Sequence, residues 1–531
     1  MRNGILLLYP PVGVHEFPHM AIPHLKGYLK EKGIYDVVSR DYNVDIMNQI
    51  IYSRFNRIAA YFEDRGINIS EEEIKKNFLK AKKILRDNKD QKKDEWAFSI
   101  LNIYLKIAGS NISEVCFSPL SFDDIAHRYR STIQDYVTQY IQNIISQEIS
   151  EIAPRIIGIS IAMGSQLYYA LFMGREIKKR FPNIKIVLGG PQISLFWKQI
   201  IEYGCFRDAY DHMIHGEGEE GIYQYIQFVD GKIKIQDVPG LIWNKESGEN
   251  IVNESLIIKN PDELPLPVFD DYDLDAYVYP KLPYMMTKGC YWAKCAFCSY
   301  RNEYPYIKKT AARIVEEIEL LRNKYNIRLF HFIDDAIPPS LLMEFSQLVI
   351  EKKLNIKYES YLRLDPAFSL PVCQMLAESG LRSALFGLES ACERVLGLMN
   401  KGIQLETAIC VLKNMKQAGI KAVVSCIIGF PTETREEAME TIAFIKDHQE
   451  DISQAFLVHY GLISDMKDHM EQFGIQELCM KNPVRYDDAG FVAFGYSYKT
   501  KRGMSVEESL ALVHTARKQI ESRVFPDTFF S

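Results

Sequence analysis

Nothing in this chain is long and apolar enough to cross a bilayer: no run approaches the ~20 residues that a membrane helix needs. The first residues are not expected to form a secretory leader either. Ile5 to Tyr9 is apolar, but Pro10-Pro11 cut it short, which fits a buried first strand better. An excess of positive charge is absent: 63 Lys and Arg face 69 Asp and Glu, a net charge of −6, so no global basic field draws nucleic acid. The ten cysteines lack the paired spacing of a disulfide-stapled secreted domain. Together these absences predict a cytoplasmic protein with reduced thiols, no membrane span and no nucleic-acid partner. What remains is a folded composition, 47% hydrophobic and 25% charged over 531 residues, with room for roughly three to four domains.

Three of the cysteines do cluster. Cys290, Cys295 and Cys298 fall within nine residues of the stretch Lys288-Gly-Cys-Tyr-Trp-Ala-Lys-Cys-Ala-Phe-Cys-Ser-Tyr300, and the other seven are scattered. Thiolates this close can converge on one metal centre, and three ligands instead of four leave one position open for chemistry. The spacing alone leaves two readings: such an open centre, or a structural zinc knuckle completed by a distant histidine such as His331 or His459. No second cysteine cluster exists; Cys373, Cys392, Cys410, Cys426 and Cys479 read as separate buried thiols.

Along the chain, Ile5–Tyr9, a helix over Ala21–Glu31 stopped by Gly33, and a strand from Val37 to Asp41 make a βαβ unit of a parallel sheet. The next buried strand, Ile156–Ile161, comes only after a helical insertion at about 46–152. There Ser70 and Glu73 form a capping box, and the segment from Arg86 to Glu95 reads as an exposed connection. The α/β pattern then resumes, with glycines expected to open the carboxyl edge of the sheet at Gly158, Gly189-Gly190 and Gly216-Glu217. Residues 222–258 read as strand-rich. A proline-bearing linker (259–280) then separates the first domain (1–258) from a second (281–460), and 461–531 form a C-terminal extension.

In the second domain, six strands alternate with helices, which predicts a partial or full parallel barrel. Tyr284–Thr287 is the strand that delivers the cysteine loop, so the loop lies on the carboxyl face where barrels place their chemistry. Asp334, Asp335, Arg363, Glu389 and Ser425 end other strands and converge on that face by topology. A ring of polar strand ends above a metal loop points to ligand contacts, and it weakens the zinc-knuckle reading.

These residues resemble the radical S-adenosylmethionine (SAM) superfamily, and more closely its branch with an N-terminal cobalamin-binding domain. The cysteine loop carries the resemblance, with Phe332-Ile-Asp-Asp335, Phe386-Gly-Leu-Glu-Ser390 and Ile428-Gly-Phe-Pro431. Four residues, then two, separate the cysteines, where the commonest family motif has three, then two. The resemblance implies an N-terminal Rossmann-like doubly wound sheet followed by a partial (β/α)6 barrel. It implies a [4Fe-4S] cluster on Cys290, Cys295 and Cys298, with SAM contacts from Phe297, Asp334, Arg363, Glu389, Ser425, Ile427 and Gly429. Ser425 stands where the family has a glycine. It implies cobalamin against Ser160, Gly189, Gly190, Gly216 and Glu217, although the Asp-x-His-x-x-Gly cobalt-ligating motif is absent; His15, His19 and His24 lack its spacing. The implied activity is methyl transfer to an unactivated carbon of a small-molecule or peptide substrate, with an external electron donor such as flavodoxin or ferredoxin. The alternatives are cyclisation, rearrangement or oxidation without methyl transfer, and a non-catalytic metal-binding protein. Tyr291 and Trp292 are expected to turn towards a cofactor where the extra residue makes the loop bulge, and Phe491 to Tyr498 are expected to help shape the pocket.

Overall fold

The computed structural model describes residues 4–87, 91–108, 115–119, 121–245, 247–298, 305–462, 473–479 and 497–521. Of these, 4–258 and 264–282 form one compact unit, and 259–263 with those from 283 onwards form a second. Both are mixed α/β units built on sheets of mostly parallel strands.

The first sheet contains β1 (Ile5–Tyr9), β2 (Val37–Asp41), β3 (Ile156–Ser160), β4 (Lys185–Gly189), β5 (His212–Ile214), β6 (Leu241–Asn244) and β7 (Asn250–Val252), in the order β2-β1-β3-β4-β5-β6-β7. The pairs from β2 to β5 are parallel, and β6 and β7 add antiparallel. β1 and β3 are buried at every position, because helices cover both faces, which explains their unbroken apolar runs. Gly158 lies inside β3, where a Cβ would come within 2.8 Å of Leu7 Cδ2. It is a packing glycine, not one of the edge glycines expected from the sequence. The helix Gly218–Val229 occupies the start of the stretch read as strand-rich, buried through Ile222, Tyr225 and Ile226 at helical spacing.

The helical insertion begins at Tyr42, a little before the expected boundary. Asp41 ends β2 and caps the helix Tyr42–Tyr52 by accepting from the backbone N–H groups of Asn43 and Val44. Phe55, Phe78 and Tyr104, from three of its helices, pack with ring centroids 5.8–6.0 Å apart. The Ser70–Glu73 capping box is formed. The expected exposed connection is shorter, because a helix restarts at Gln91. Residues 264–282 strap the first unit instead of hanging as a linker. Asp271 accepts from Ser39 N at 2.7 Å and pairs with Lys26, and Tyr277 donates to Asp41 at 2.6 Å.

The second unit holds β8 (Lys281–Tyr284), β9 (Thr287–Lys288), β10 (Ile307–Lys308), β11 (Leu329–Phe332), β12 (Lys357–Leu362), β13 (Leu381–Glu389), β14 (Lys421–Ile428), β15 (Gln454–His459), β16 (Ile475–Cys479) and β17 (Ser497–Thr500). Its main sheet runs β15-β14-β13-β12-β11-β8, parallel from β11 to β15, while β9 and β10 form a separate short antiparallel ladder. Side chains alternate between faces along each strand. Phe332 and Tyr358 face the helices, with ring centroids 4.8 Å apart, and Phe332 meets Phe345 of the helix Pro339–Glu351 at 5.6 Å. His331, Glu359, Tyr361, Leu385 and Ser425 point to the other face and are half-buried, and Phe456, in register with Ser425, is 44% exposed. The helix Val506–Glu521 covers β15: Ser509 Oγ meets His459 Nδ1 at 2.9 Å, and Arg517 Nε donates to Leu457 O at 2.8 Å.

Candidate functional site

The cysteine loop leaves the carboxyl end of β9, and the chain returns through β10 to pair with it, so a two-stranded ladder brackets the loop. Its root is fixed by Asp334, one residue-pair beyond β11. Asp334 Oδ1 accepts from Met286 N at 2.9 Å, from Thr287 Oγ1 at 2.8 Å and from Thr287 N. Burial pushes this carboxyl up to about 7, while those three bonds pull it down. One of its oxygens is thus used to anchor the loop, and Oδ2 is buried without a hydrogen-bond partner.

Within the loop, Gly289 and Ala293 have φ of 71° and 47°. A left-handed alanine is uncommon and lies inside the longer gap between Cys290 and Cys295, so the extra residue is absorbed by a local kink. Cys295 is buried, and Cys290 and Cys298 are half-buried. Ala296 N donates to Met399 O at 2.8 Å, which seats the second half of the loop on the end of the helix Glu393–Met399, where the segment 400–402 begins.

That segment supplies residues the sequence reading missed. Lys401 Nζ pairs with Glu389 Oε1 at 2.7 Å, both side chains buried, and Arg363 donates to Lys401 O at 2.6 Å. Arg363 also lies over the Trp292 ring at 4.3 Å, and the Trp292 indole N–H donates to Asn400 O at 3.0 Å. Lys401 Nζ stands 5.6 Å from the centre of the Phe297 ring. Gly402, with φ of 66°, has no room for a side chain, since a Cβ would lie 2.2 Å from the Trp292 ring. Glu389 itself has φ of 66°, a strained setting for a non-glycine residue at the end of β13. Tyr291 and Trp292 are thus half-buried against Arg363 and the 400–402 segment.

Burial raises the Cys295 thiol, and the nearby charges of Lys401 and Arg363 pull it back down. Two buried cations beside the thiols suit a centre whose ligands must be thiolates. Among the described residues no three His, Cys, Asp or Glu side chains close tightly enough on a point to hold a single ion. An iron–sulfur cluster takes thiolates spread around a larger body, and an all-thiol donor set on one loop fits it. His331 and His459, the candidates to complete a zinc knuckle, lie on opposite faces of the sheet. His331 is held by Glu359 at 3.1 Å and Tyr361 at 3.3 Å, and His459 by Ser509.

The remaining sequence candidates of this unit line the same edge or the open face. Ser425 is half-buried on that face, Ile427 is in register with Val458, and Gly429 follows β14 with φ of 82°. Gly429 N donates to Glu433, whose carboxyl is pushed up to about 7 by burial, and Gly429 O accepts from Tyr498 at 3.4 Å. Asp335 is exposed. Residues 491–496 lie outside the described residues.

In the first unit, Ser160, Gly189, Gly190, Gly216 and Glu217 lie along the carboxyl edge of the sheet. Gly190 has φ of 95°, and a Cβ there would meet Ile161 O at 2.7 Å. Gly216 N donates to Ser194 Oγ at 2.9 Å, and Glu217 Oε2 accepts from Ile258 N at 2.7 Å. The strand order reverses at β1 and β3, and ligands of such sheets bind in the crevice at that switch point. One side chain spans it. Gln166 Oε1 accepts from Ala162 N and Met163 N, both at 3.0 Å, after β3, and its Nε2 donates to Pro10 O at 2.7 Å, after β1. Among the described residues no helix is long and apolar enough to cross a membrane.

Residues 284–445 match the family model of the radical SAM superfamily. The chain is 30% identical over 319 residues, 58% of its own length and 68% of the relative's, to an uncharacterised methyltransferase of Pyrococcus horikoshii. It is 22% identical to the anaerobic magnesium-protoporphyrin IX monomethyl ester cyclase of Cereibacter sphaeroides, over 66% of this chain and 59% of that one. It is also 22% identical to the cytidylyl-2-hydroxyethylphosphonate methyltransferase of Streptomyces wedmorensis, over 59% of this chain and 63% of that one. In fold it resembles the cobalamin-dependent SAM radical enzyme OxsB with aqua-cobalamin and SAM bound, with a TM-score of 0.63 at 15% identity, over 98% of this chain and 67% of that one. It also resembles the radical SAM methyltransferase TsrM of Kitasatospora setae, with a TM-score of 0.60 at 15% identity, over 99% of this chain and 89% of that one.

Proposed function

Because the chain belongs to the radical SAM superfamily, we propose that it is a cobalamin-dependent radical SAM enzyme that transfers a methyl group to an unactivated carbon. In this reading the first sheet is a Rossmann-like cobalamin module and the second a partial (β/α)6 barrel. When bound, a [4Fe-4S] cluster supplies an electron that cleaves SAM to a 5′-deoxyadenosyl radical, and cobalamin carries the methyl group. Cys290, Cys295 and Cys298 hold the cluster. Glu389 and Arg363 take the charged ammonium and carboxylate of SAM. Lys401 holds Oε1 of Glu389, and the other oxygen of the carboxylate is the one offered to the ammonium of SAM. Phe297, Trp292 and Tyr291 keep water from the thiols. Ser425, Ile427 and Gly429 flank the adenine, and Asp334 holds the loop root. Ser160, Gly189, Gly190, Gly216 and Glu217 line the cobalamin crevice. The substrate is a small molecule or peptide, and the electron comes from a donor such as flavodoxin or ferredoxin.

The observation that carries this reading is the anchoring of the cysteine loop beside the buried Glu389–Lys401 pair and Arg363, through Ala296 on Met399, Trp292 under Arg363 and Phe297 near Lys401. It is tested by anaerobic reconstitution with iron, sulfide, SAM and hydroxocobalamin. The expected products are 5′-deoxyadenosine and S-adenosylhomocysteine, and each of Cys290→Ala, Cys295→Ala and Cys298→Ala loses both, with the visible cluster absorbance. Deoxyadenosine alone, with cobalamin unbound, sinks the methyl-transfer part.

The second reading is cyclisation, rearrangement or oxidation without methyl transfer. It is favoured by the likeness to the Cereibacter cyclase and to the 4′-phospho-dehydrooxetanocin synthase of Priestia megaterium, which is 20% identical over 55% of this chain. Substrate-dependent deoxyadenosine without homocysteine products selects it.

A further inference from the structure

The turn after β14, from Gly429 to Thr432, is held in a shape that part of its sequence resists. Gly429 has φ of 82° and Thr432 has φ of 76°. Left-handed backbone is open to glycine but strains a β-branched residue, so it persists only where the surroundings impose it. Some of the constraint is local. Gly429 N donates to Glu433 Oε2, and Glu433 N donates to Phe430 O at 2.8 Å. Arg394 donates through Nη1 to Thr432 Oγ1 at 3.2 Å and through Nη2 to Thr432 O at 2.9 Å.

The rest comes from far along the chain, beyond the residues that match the family model. Tyr498 of β17 donates to Gly429 O at 3.4 Å. Ser509, fully buried in the helix Val506–Glu521, fills the space beside Gly429: a Cβ on that glycine would lie 2.6 Å from Ser509 Cβ and 2.7 Å from its Oγ. Between these two, Met504 N donates to Glu433 O at 2.9 Å. Gly503, with φ of 87°, lies so close that its own Cβ would come within 2.6 Å of Glu433 O and 2.7 Å of the Thr432 carbonyl carbon. Contacts from three places within 498–509 thus close on one turn. Phe430 of that turn packs edge-on against Tyr460 and Phe473, with ring centroids 5.1 and 5.2 Å apart, and Tyr460 meets Tyr498 at 6.0 Å. Ala296 and Phe297 of the cysteine loop belong to the same apolar cluster.

We propose that Tyr498, Gly503 and Ser509 are positioning residues of the SAM site, holding the Gly429–Thr432 turn in the shape that seats the adenosyl half of SAM. The inference rests on the SAM reading above, in which Ile427 and Gly429 flank the adenine while Glu389 and Arg363 take the amino-acid half. These residues make and break no bond. A strained turn that is held before its ligand arrives needs little ordering when the ligand binds. Once released it relaxes, and the ordering is charged to the adenosyl half alone.

The test separates the two halves of SAM in the full chain reconstituted with iron and sulfide. Methionine carries the amino and carboxylate groups without adenosine. Titrations with SAM and with methionine, each followed by the electron paramagnetic resonance of the reduced cluster, therefore read the halves apart. In Gly503→Ala the added Cβ drives the segment off the turn, and the half-saturating SAM concentration rises about tenfold, with about threefold in Tyr498→Phe and in Ser509→Ala. Cluster content and half-saturation by methionine match the unaltered chain in all three. Equal weakening of SAM and methionine, or loss of cluster content beside it, marks a general loosening and overturns the proposal. So does unchanged SAM affinity in both Tyr498→Phe and Ser509→Ala, which decides the matter even where Gly503→Ala does not fold. A cluster in the unaltered chain whose spectrum SAM leaves unchanged overturns the SAM reading itself, before any variant is compared.

Discussion

The two sheets share parallel strands but differ in what covers them. In the first, β1 and β3 are buried at every residue on both faces. In the second, β12 to β15 alternate, with one face packed on helices and the other left half-open. A sheet covered twice has room for a ligand only at its carboxyl edge, which is where Gly190, Gln166 and the His15 loop lie. A sheet covered once offers an edge and a face together, and the polar residues of the second unit occupy both. The same secondary structure thus offers an edge alone in one unit and an edge with an open face in the other.

The largest effects that could break this contrast come from truncations on the two faces. Leu7→Ala and Leu8→Ala point to opposite faces of β1 and should each cost about 2–5 kcal/mol. Phe332→Ala, on the helix side of β11, should cost about 3–5 kcal/mol, whereas Phe456→Ala on the open face should stay within about 0.5 kcal/mol. Denaturant titration of the four variants decides it, and a large loss at Phe456 would mean that its face is covered after all.

An intermediate effect separates the two edges. Gly402→Ala forces a Cβ into Trp292 and should cost about 1–3 kcal/mol and loosen the cysteine loop. Gly190→Ala meets Ile161 O and should cost a similar amount while leaving that loop intact. Cluster retention after desalting, measured beside stability, shows whether the two edges respond independently.

The smallest effect is a slope with pH. Burial raises Asp41 from 3.8 to about 7, and Asp334 in the other unit likewise. A carboxyl with a raised folded pKa favours the folded state fully below its unfolded pKa, and that contribution is lost as pH rises towards 7. The unfolding midpoint should therefore fall between about pH 4 and pH 7. Asp41→Asn should flatten the share of the first unit only, followed by the fluorescence of Trp243, which lies in it.

Much of the site could be read from the sequence because chemistry and topology agree there: a cysteine loop after a strand, and polar residues at strand ends. Its electrostatics could not. Lys401 sits after a helix whose end is marked by Asn400 at φ 51°, a signal of a stop and nothing more. Only folding brings it to Glu389. Asp334 was legible as a strand-end carboxylate, yet one of its oxygens anchors the backbone at the root of the cysteine loop. Gly158 looked like an edge glycine because a run such as Ile-Ile-Gly-Ile-Ser does not say where the strand ends. Packing against Leu7 decides it.

The short ladder between β9 and β10 has a consequence for how the loop tolerates change. It ties the cysteine loop at both ends to backbone pairing, while Asp334 pins the root from a separate strand. A substitution within the loop is therefore expected to leave the sheet beneath it in place.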